Sequence, residues 1–154
     1  MVILRKPAED VSEAALTRFA ARASRATRLQ GEFAVLVTGS REVRSLNRRF
    51  RRKDKPTDVI SFPSEMDGVA GDIAISIDIA RKNGKELGHD TETELKVLIL
   101  HGMLHLRGMD HETDQGQMRR REMVLRRRLG LPEGLIERSQ RSSSQPRSRK
   151  RRPQ

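Results

Sequence analysis

The segment from Thr91 to His111, TETELKVLILHGMLHLRGMDH, constrains the fold more than any other part of the chain. Leu95, Leu98, Ile99 and Met103 recur at helical spacing, which predicts a helix running to about Arg107 with an apolar stripe that must be covered. Thr91 and Glu94 form a T-x-x-E capping box at its start. His101 and His105 lie four residues apart, so both imidazoles share one helix face about one turn apart. Gly108 stands where the chain needs a left-handed turn to leave the helix. His111 follows three residues later and completes a set of three. The pattern places a metal site at the end of a central helix.

The chain has no cysteine, which excludes disulfides and thiolate ligation and leaves His, Asp and Glu as possible ligands. Three neutral imidazoles leave the fourth position of a tetrahedral zinc open, and such an ion lowers the pKa of bound water to about 7. One Zn2+ per chain is the ion that geometry favours, although nickel and copper also accept three imidazoles. His89 lies outside the motif and reads as a loop histidine. The spacing H-x3-H-x2-G-x2-H is also that of metzincin proteases, which carry a glutamate directly after the first histidine as general base. Here that position is Gly102, and no Met-turn can be assigned, although Met118 and Met123 lie downstream. Asp110 and Asp114 flank the third histidine. Either can hold an imidazole from behind, but Asp114 reads more simply as the cap of the last helix.

Elsewhere helices and strands interleave. Ala8 to Arg28 reads as an amphipathic helix, with Val11, Ala15, Phe19 and Ala23 on one face. Gly31 to Thr38 is a strand. Ser40 caps a second helix with the stripe Val43, Leu46 and Phe50. A charged loop, RRKDKPTD, leads to a short strand at Val59 to Phe62. Ser64 to Gly71 reads as a loop and Asp72 to Ser76 as another strand. Asp78 to Glu86 is helical, and a last helix runs from about Asp114 to Arg128 with Met118, Leu125 and Leu129 as its core stripe. This order indicates an α/β (α+β) fold, a single domain with helices packed on a small mixed sheet.

The formal net charge of the 154 residues is +11. From Arg138 onward there are seven basic and no acidic residues, and without them the balance is 25 basic against 21 acidic. The chain thus divides into a folded domain, residues 1–136, and a basic C-terminal tail, 137–154, too poor in apolar residues to fold alone. Such a tail attracts polyanions without specificity. No apolar run approaches the roughly 20 residues of a membrane span, and the N-terminal apolar stretch is too short for a signal peptide. A cytoplasmic protein with no membrane partner is the expectation.

HGMLHLRGMDH closely resembles the H-G-x-L-H-L-x-G-y-D-H signature of the YbeY family, bacterial endoribonucleases of ribosomal RNA maturation. LNRRFRRKDKPTDVISFP, residues 46–63, is similar to that family's L-N-x-x-y-R-x-K-d-x-P-T-D-V-L-S-F-P block, and GDIAIS, residues 71–76, to its G-D-I-x-I-S strand. The resemblance covers about residues 30–130. It implies that His101, His105 and His111 bind zinc and that Arg51 is the arginine beside the metal cleft that serves RNA binding or cleavage. It further implies a single-strand-specific endoribonuclease acting in 3′-end maturation of 16S rRNA and in ribosome quality control, with the small ribosomal subunit as partner. Phe50 and Met109 stand where the family usually has Tyr, the loop from Ser64 to Ala70 is short, and the tail lies outside the pattern.

The residues themselves are compatible with RNA. Arg48, Arg49, Arg51, Arg52, Lys53 and Lys55 cluster within eight positions, and guanidinium forks suit phosphate. Beside a Lewis acid, such cations stabilise the charge that develops on phosphate oxygens. Arg51 is the leading candidate for a catalytic role, with Arg48, Arg52, Lys53 and Lys55 as substrate contacts; the plainer alternative is a solvated charged turn. With no Trp or Tyr and four Phe, recognition by shape and backbone charge is expected ahead of base stacking. Two other readings compete: a non-catalytic ribosome assembly factor with a structural zinc, and a metalloprotease, against which Gly102 argues.

Overall fold

The computed structural model describes residues 1–110 and 113–132. The elements follow in the order β1 (Val2–Leu4), α1 (Glu13–Thr27), β2 (Glu32–Thr38), α2 (Ser40–Arg51), β3 (Val59–Pro63), β4 (Val69–Ser76), α3 (Ile77–Leu87), α4 (Thr91–Leu106) and α5 (Gln117–Arg128). The protein is a single small domain of mixed α/β class. His111 and the whole basic tail, 137–154, lie outside the described residues.

The histidine-bearing helix α4 is the hub. Eleven of its sixteen residues are buried, far more than a one-sided stripe requires. It is covered nearly all round because α1, α3 and α5 pack against it and β3 and β4 lie beneath it. Under it, four strands form one sheet in the order β1-β2-β4-β3. β1, β2 and β4 run parallel, and β3 runs antiparallel along β4 as an edge strand. The register sets Val35 beside Ile73 and Val37 beside Ile75. With side chains alternating along each strand, these four enter the core together with Leu95, Leu98 and Met103 of α4. Ile60 and Ala74 pair on the opposite face. They are buried with Val43 outside that main core, where α2 crosses β3 and β4.

Several boundaries differ from the sequence reading. β1 was not expected, since three residues display no period; it exists because β2 offers a parallel edge to it, with Val35 N–H donating to the Met1 carbonyl at 2.8 Å. α1 begins at Glu13, not Ala8, because Ser12 caps it by accepting from Ala15 N–H. β4 begins at Val69, inside the expected loop. Gly71 hides this continuation: an added Cβ there would run into the Phe62 carbonyl of β3 and Leu106 of α4, so this crowded position carries no side chain. α5 begins at Gln117, after Asp114 has accepted bonds from Gly116 and Met118 N–H.

Two caps are also reassigned. Ser40 does not cap α2 with its side chain. Its N–H donates to Asp78 Oδ2 at 2.7 Å, while Lys6 donates to Asp78 Oδ1. The Lys6 ammonium, followed by the Ser40 amide, lowers the Asp78 pKa below the ordinary carboxylate value. The cap of α4 is Asp90, one residue ahead of the expected Thr91, and it accepts from Thr93 N–H at 2.8 Å. Glu94, the other half of the expected capping box, is fully buried and lies 2.7 Å from His89 Nε2 instead. A carboxylate is the stronger acceptor for an orphan helix N–H, so Asp90 displaces the threonine.

The bonds from Thr93 hold the Asp90 pKa below its ordinary value of 3.8. A depressed carboxylate stabilises the fold above the unfolded pKa and ceases to do so as pH falls through the folded one. Asp90→Ala is therefore expected to lower stability by about 1 kcal/mol at neutral pH. In urea melts this difference shrinks as pH falls below 3.8, and Asp90→Asn retains most of the cap.

Candidate active site

The C-terminal half of α4 carries His101 and His105. The i, i+4 spacing brings the rings into an edge-to-face pair with centroids 4.8 Å apart, and their Nε2 atoms face each other at 3.2 Å. Two imidazole nitrogens sharing one tetrahedral zinc at bonds of about 2.0–2.1 Å stand roughly 3.3 Å apart. The donor pair fits such an ion. Among the described residues no third His, Asp or Glu joins them in a metal-holding group; the third expected ligand, His111, lies outside those residues.

The helix ends as its sequence requires. Gly108 takes a φ of 90°. Its N–H donates to the His105 carbonyl, and Met109 N–H donates to the Leu104 carbonyl. This pair of bonds closes a Schellman turn that reverses the chain just after the second histidine. Asp110 then lines the cleft in front of the rings, and its carbonyl accepts from Thr113 and Asp114 N–H.

His101 is only 4% exposed, and its Nδ1 lies 2.8 Å from Oε1 of Glu122, which is itself 2% exposed. A carboxylate at Nδ1 holds the proton there, so that Nε2 presents its lone pair to the cleft. The sequence reading missed this residue. Its signal was a glutamate on the apolar stripe of α5, between Met118 and Leu125 at helical spacing, where a charge needs a partner.

Gly102 has a packing reason as well. A Cβ added there would lie 2.9 Å from Ile73 Cγ2 and 3.0 Å from Ile73 Cδ1. The residue after His101 thus points into the sheet, and no room exists for the glutamate that a metzincin carries there. Ser61 Oγ donates to the Gly102 carbonyl at 3.0 Å, which ties α4 to β3 at the same level.

Across a cleft of about 510 Å³, the end of α2 and the loop after it face the histidines. Arg51, Lys53 and Lys55 line that wall; Arg48 and Arg52 do not. Two bonds shape the loop. The buried Asn47 donates from Nδ2 to the Lys55 carbonyl at 3.0 Å, and its own carbonyl accepts from Lys53 N–H at 3.2 Å. Between them Arg52 takes a left-handed φ of 55°. One kinked turn thereby sends alternate cations into the cleft. Phe50, expected within the apolar stripe of α2, is instead 60% exposed; it meets Phe62 edge to face, with the Arg49 guanidinium 5.3 Å from its ring centre.

The family model for endoribonuclease YbeY matches residues 3–130. The chain belongs to the YbeY family. It is 54% identical over 152 residues to the endoribonuclease YbeY of Koribacter versatilis (strain Ellin345), with 99% of this chain and 100% of that protein covered. With the endoribonuclease YbeY of Solibacter usitatus (strain Ellin6076) the identity is 48% over 139 residues, covering 90% and 94% of the two chains. A Thermotoga maritima protein with a known solution structure shares the fold at a TM-score of 0.54 and 26% identity, over 80% of this chain and 85% of that one. Within this YbeY fold, α4 is the element that holds the histidine pair to the sheet.

Gly102→Ala is expected to destabilise the domain by about 1–3 kcal/mol, the usual penalty for overpacking a filled core. Denaturant melts check this, and a neutral result would mean that Ile73 yields more readily than the packing implies.

Proposed function

We propose that this chain is a zinc-dependent, single-strand-specific endoribonuclease that acts in ribosomal RNA processing, on the 3′ end of 16S rRNA, and in ribosome quality control in the cytoplasm. The observation that carries the reading is the opposition, within one cleft, of the convergent His101 and His105 nitrogens and the Arg51, Lys53 and Lys55 wall. Membership of a family described as endoribonuclease supports RNA as the substrate.

His101, His105 and His111 would hold the zinc, which when bound supplies a Lewis acid for charge on a phosphate oxygen. Glu122 fixes the tautomer and orientation of His101 from behind. Arg51 holds the phosphate from the facing wall, its fork matching two oxygens, and so stabilises charge that grows as the bond to the leaving oxygen breaks. Lys53 and Lys55 attract the neighbouring backbone. Arg48 and Arg52, which do not line the cleft, contact RNA outside it. To Asp110, which lines the cleft, we assign proton acceptance or support of a histidine ligand. Against a protease, the position of its glutamate is closed by Ile73.

Bound zinc and RNA cleavage, measured together, test the reading. His105→Ala should lose both. Arg51→Ala should keep zinc while cleavage falls about 10²–10³-fold, as for loss of one preorganised charge-stabilising donor. Stoichiometric zinc with no cleavage under any condition would sink the enzyme reading in favour of an assembly factor with a structural ion. Product ends identify the nucleophile: a 2′,3′-cyclic phosphate means internal attack, and a 5′-phosphate means attack by water.

Loss of Glu122 should act on the metal before it acts on RNA. Glu122→Ala is expected to weaken zinc binding by about 10–100-fold, the range for loss of a carboxylate behind a histidine ligand. Competition with a chelator reads this directly.

A further inference from the structure

A strong charge outside the cleft is left unused by the proposed reaction. α1 with the following Arg28, and α5, together hold ten arginines against two glutamates. One of these, Glu122, is buried against His101, so only Glu13 at the start of α1 offsets the arginines at the surface. Arg18, Arg22, Arg25 and Arg28 are exposed and fall three or four residues apart, which makes one stripe. Arg119, Arg120, Arg127 and Arg128 are exposed on α5. The two helices touch where Arg121 Nη2 donates to the Ala26 carbonyl at 3.3 Å.

Three other surface arginines are neutralised, Arg5 by Glu42, Arg44 by Asp54 and Arg81 by Asp10. None of the eight exposed arginines on α1, its end and α5 forms an ion pair among the described residues. So many like charges on two helices that touch repel one another in the free protein, and a polyanion relieves that repulsion. The surface is made of guanidinium forks, which match phosphate. Phe19, the one aromatic residue of these two helices, is buried, so bases find no platform and the contact is to the backbone, independent of sequence. Val124 is the one large exposed apolar side chain on them, which is too little for a protein interface core. α5 spans roughly 18 Å at about 1.5 Å per residue, and a duplex presents about one charge per 1.7 Å of its axis.

We propose that the α1–α5 face is a second RNA-docking surface, one that takes the sugar-phosphate backbone of a helical RNA segment adjoining the single strand in the cleft. The assignment rests on RNA being the cleft's substrate, but its test reads binding rather than cleavage.

The test uses the full chain and two 2′-O-methyl RNA probes, a hairpin with a single-stranded 3′ extension and the extension alone, titrated by fluorescence anisotropy over a salt series. The fourfold variant Arg119→Gln, Arg120→Gln, Arg127→Gln, Arg128→Gln should bind the hairpin probe about tenfold or more weakly near 0.1 M salt, with the log–log salt slope reduced by about two to three. Binding of the extension alone and the melting temperature should stay at wild-type values. A second variant, Arg18→Gln, Arg22→Gln, Arg25→Gln, tests α1 in the same way. Wild-type affinity and slope for the hairpin in both variants overturn the proposal, including the case in which either variant loses an acidic protein partner instead. A wild-type protein that shows the expected hairpin binding but cleaves no RNA refutes the cleft reading and leaves this surface standing.

Discussion

The close approach of α4 to β4 at Gly102 and Ile73 decides where everything else in the site can be. With no side chain between them, helix and strand touch backbone to side chain, and Ser61 fastens the same carbonyl to β3. The rotation of α4 is then fixed. Residues one position away on the helix, beginning with His101, are turned to the open side of edge strand β3, and His105 follows one turn later. The same contact that seats the helix in the core therefore aims two nitrogens at the cleft. It also removes the position in which a hydrolase of similar histidine spacing keeps its general base.

From that anchor the charges fall into two layers around the histidine pair. Behind the rings, α5 contributes one buried carboxylate, Glu122, which is admitted to the core because His101 satisfies it. In front, the turn after α2 delivers Arg51, Lys53 and Lys55 to the opposite wall because Asn47 holds both ends of the turn. A single residue, through its side-chain amide and its backbone carbonyl, thus converts a run of basic residues, half of which face elsewhere, into one wall. Further positive charge lies on the outer sides of α1 and α5, where apolar inner faces and exposed arginines share the same helices.

Helical spacing made much of this legible. The turn at Gly108, the pairing of His101 with His105 and the core stripe of α4 all follow from residues close in sequence, where period and backbone preference act directly. The element order after β1 was also readable, with errors at the starts of α1, β4 and α5. Those errors share a cause: a cap or a bare glycine shifted the boundary, and neither alters the hydrophobic period. Phe50 shows the limit of that period. It continues the stripe of α2, yet its ring meets only the edge of the sheet at Phe62 and remains largely in solvent beside Arg49.

The sequence by itself determined the histidine helix, its glycine exit and a basic loop ahead of it, because each is a local pattern of side-chain spacing and backbone freedom. Only the tertiary structure decided that Glu122 backs His101, that Arg51 rather than Arg48 or Arg52 reaches the cleft, and that β1 exists at all. Each of these depends on a partner 20 or more residues away or on a turn whose sense is set by a hydrogen bond. Burial gives such contacts their strength, and burial is a property of the packed layers that no window of sequence contains.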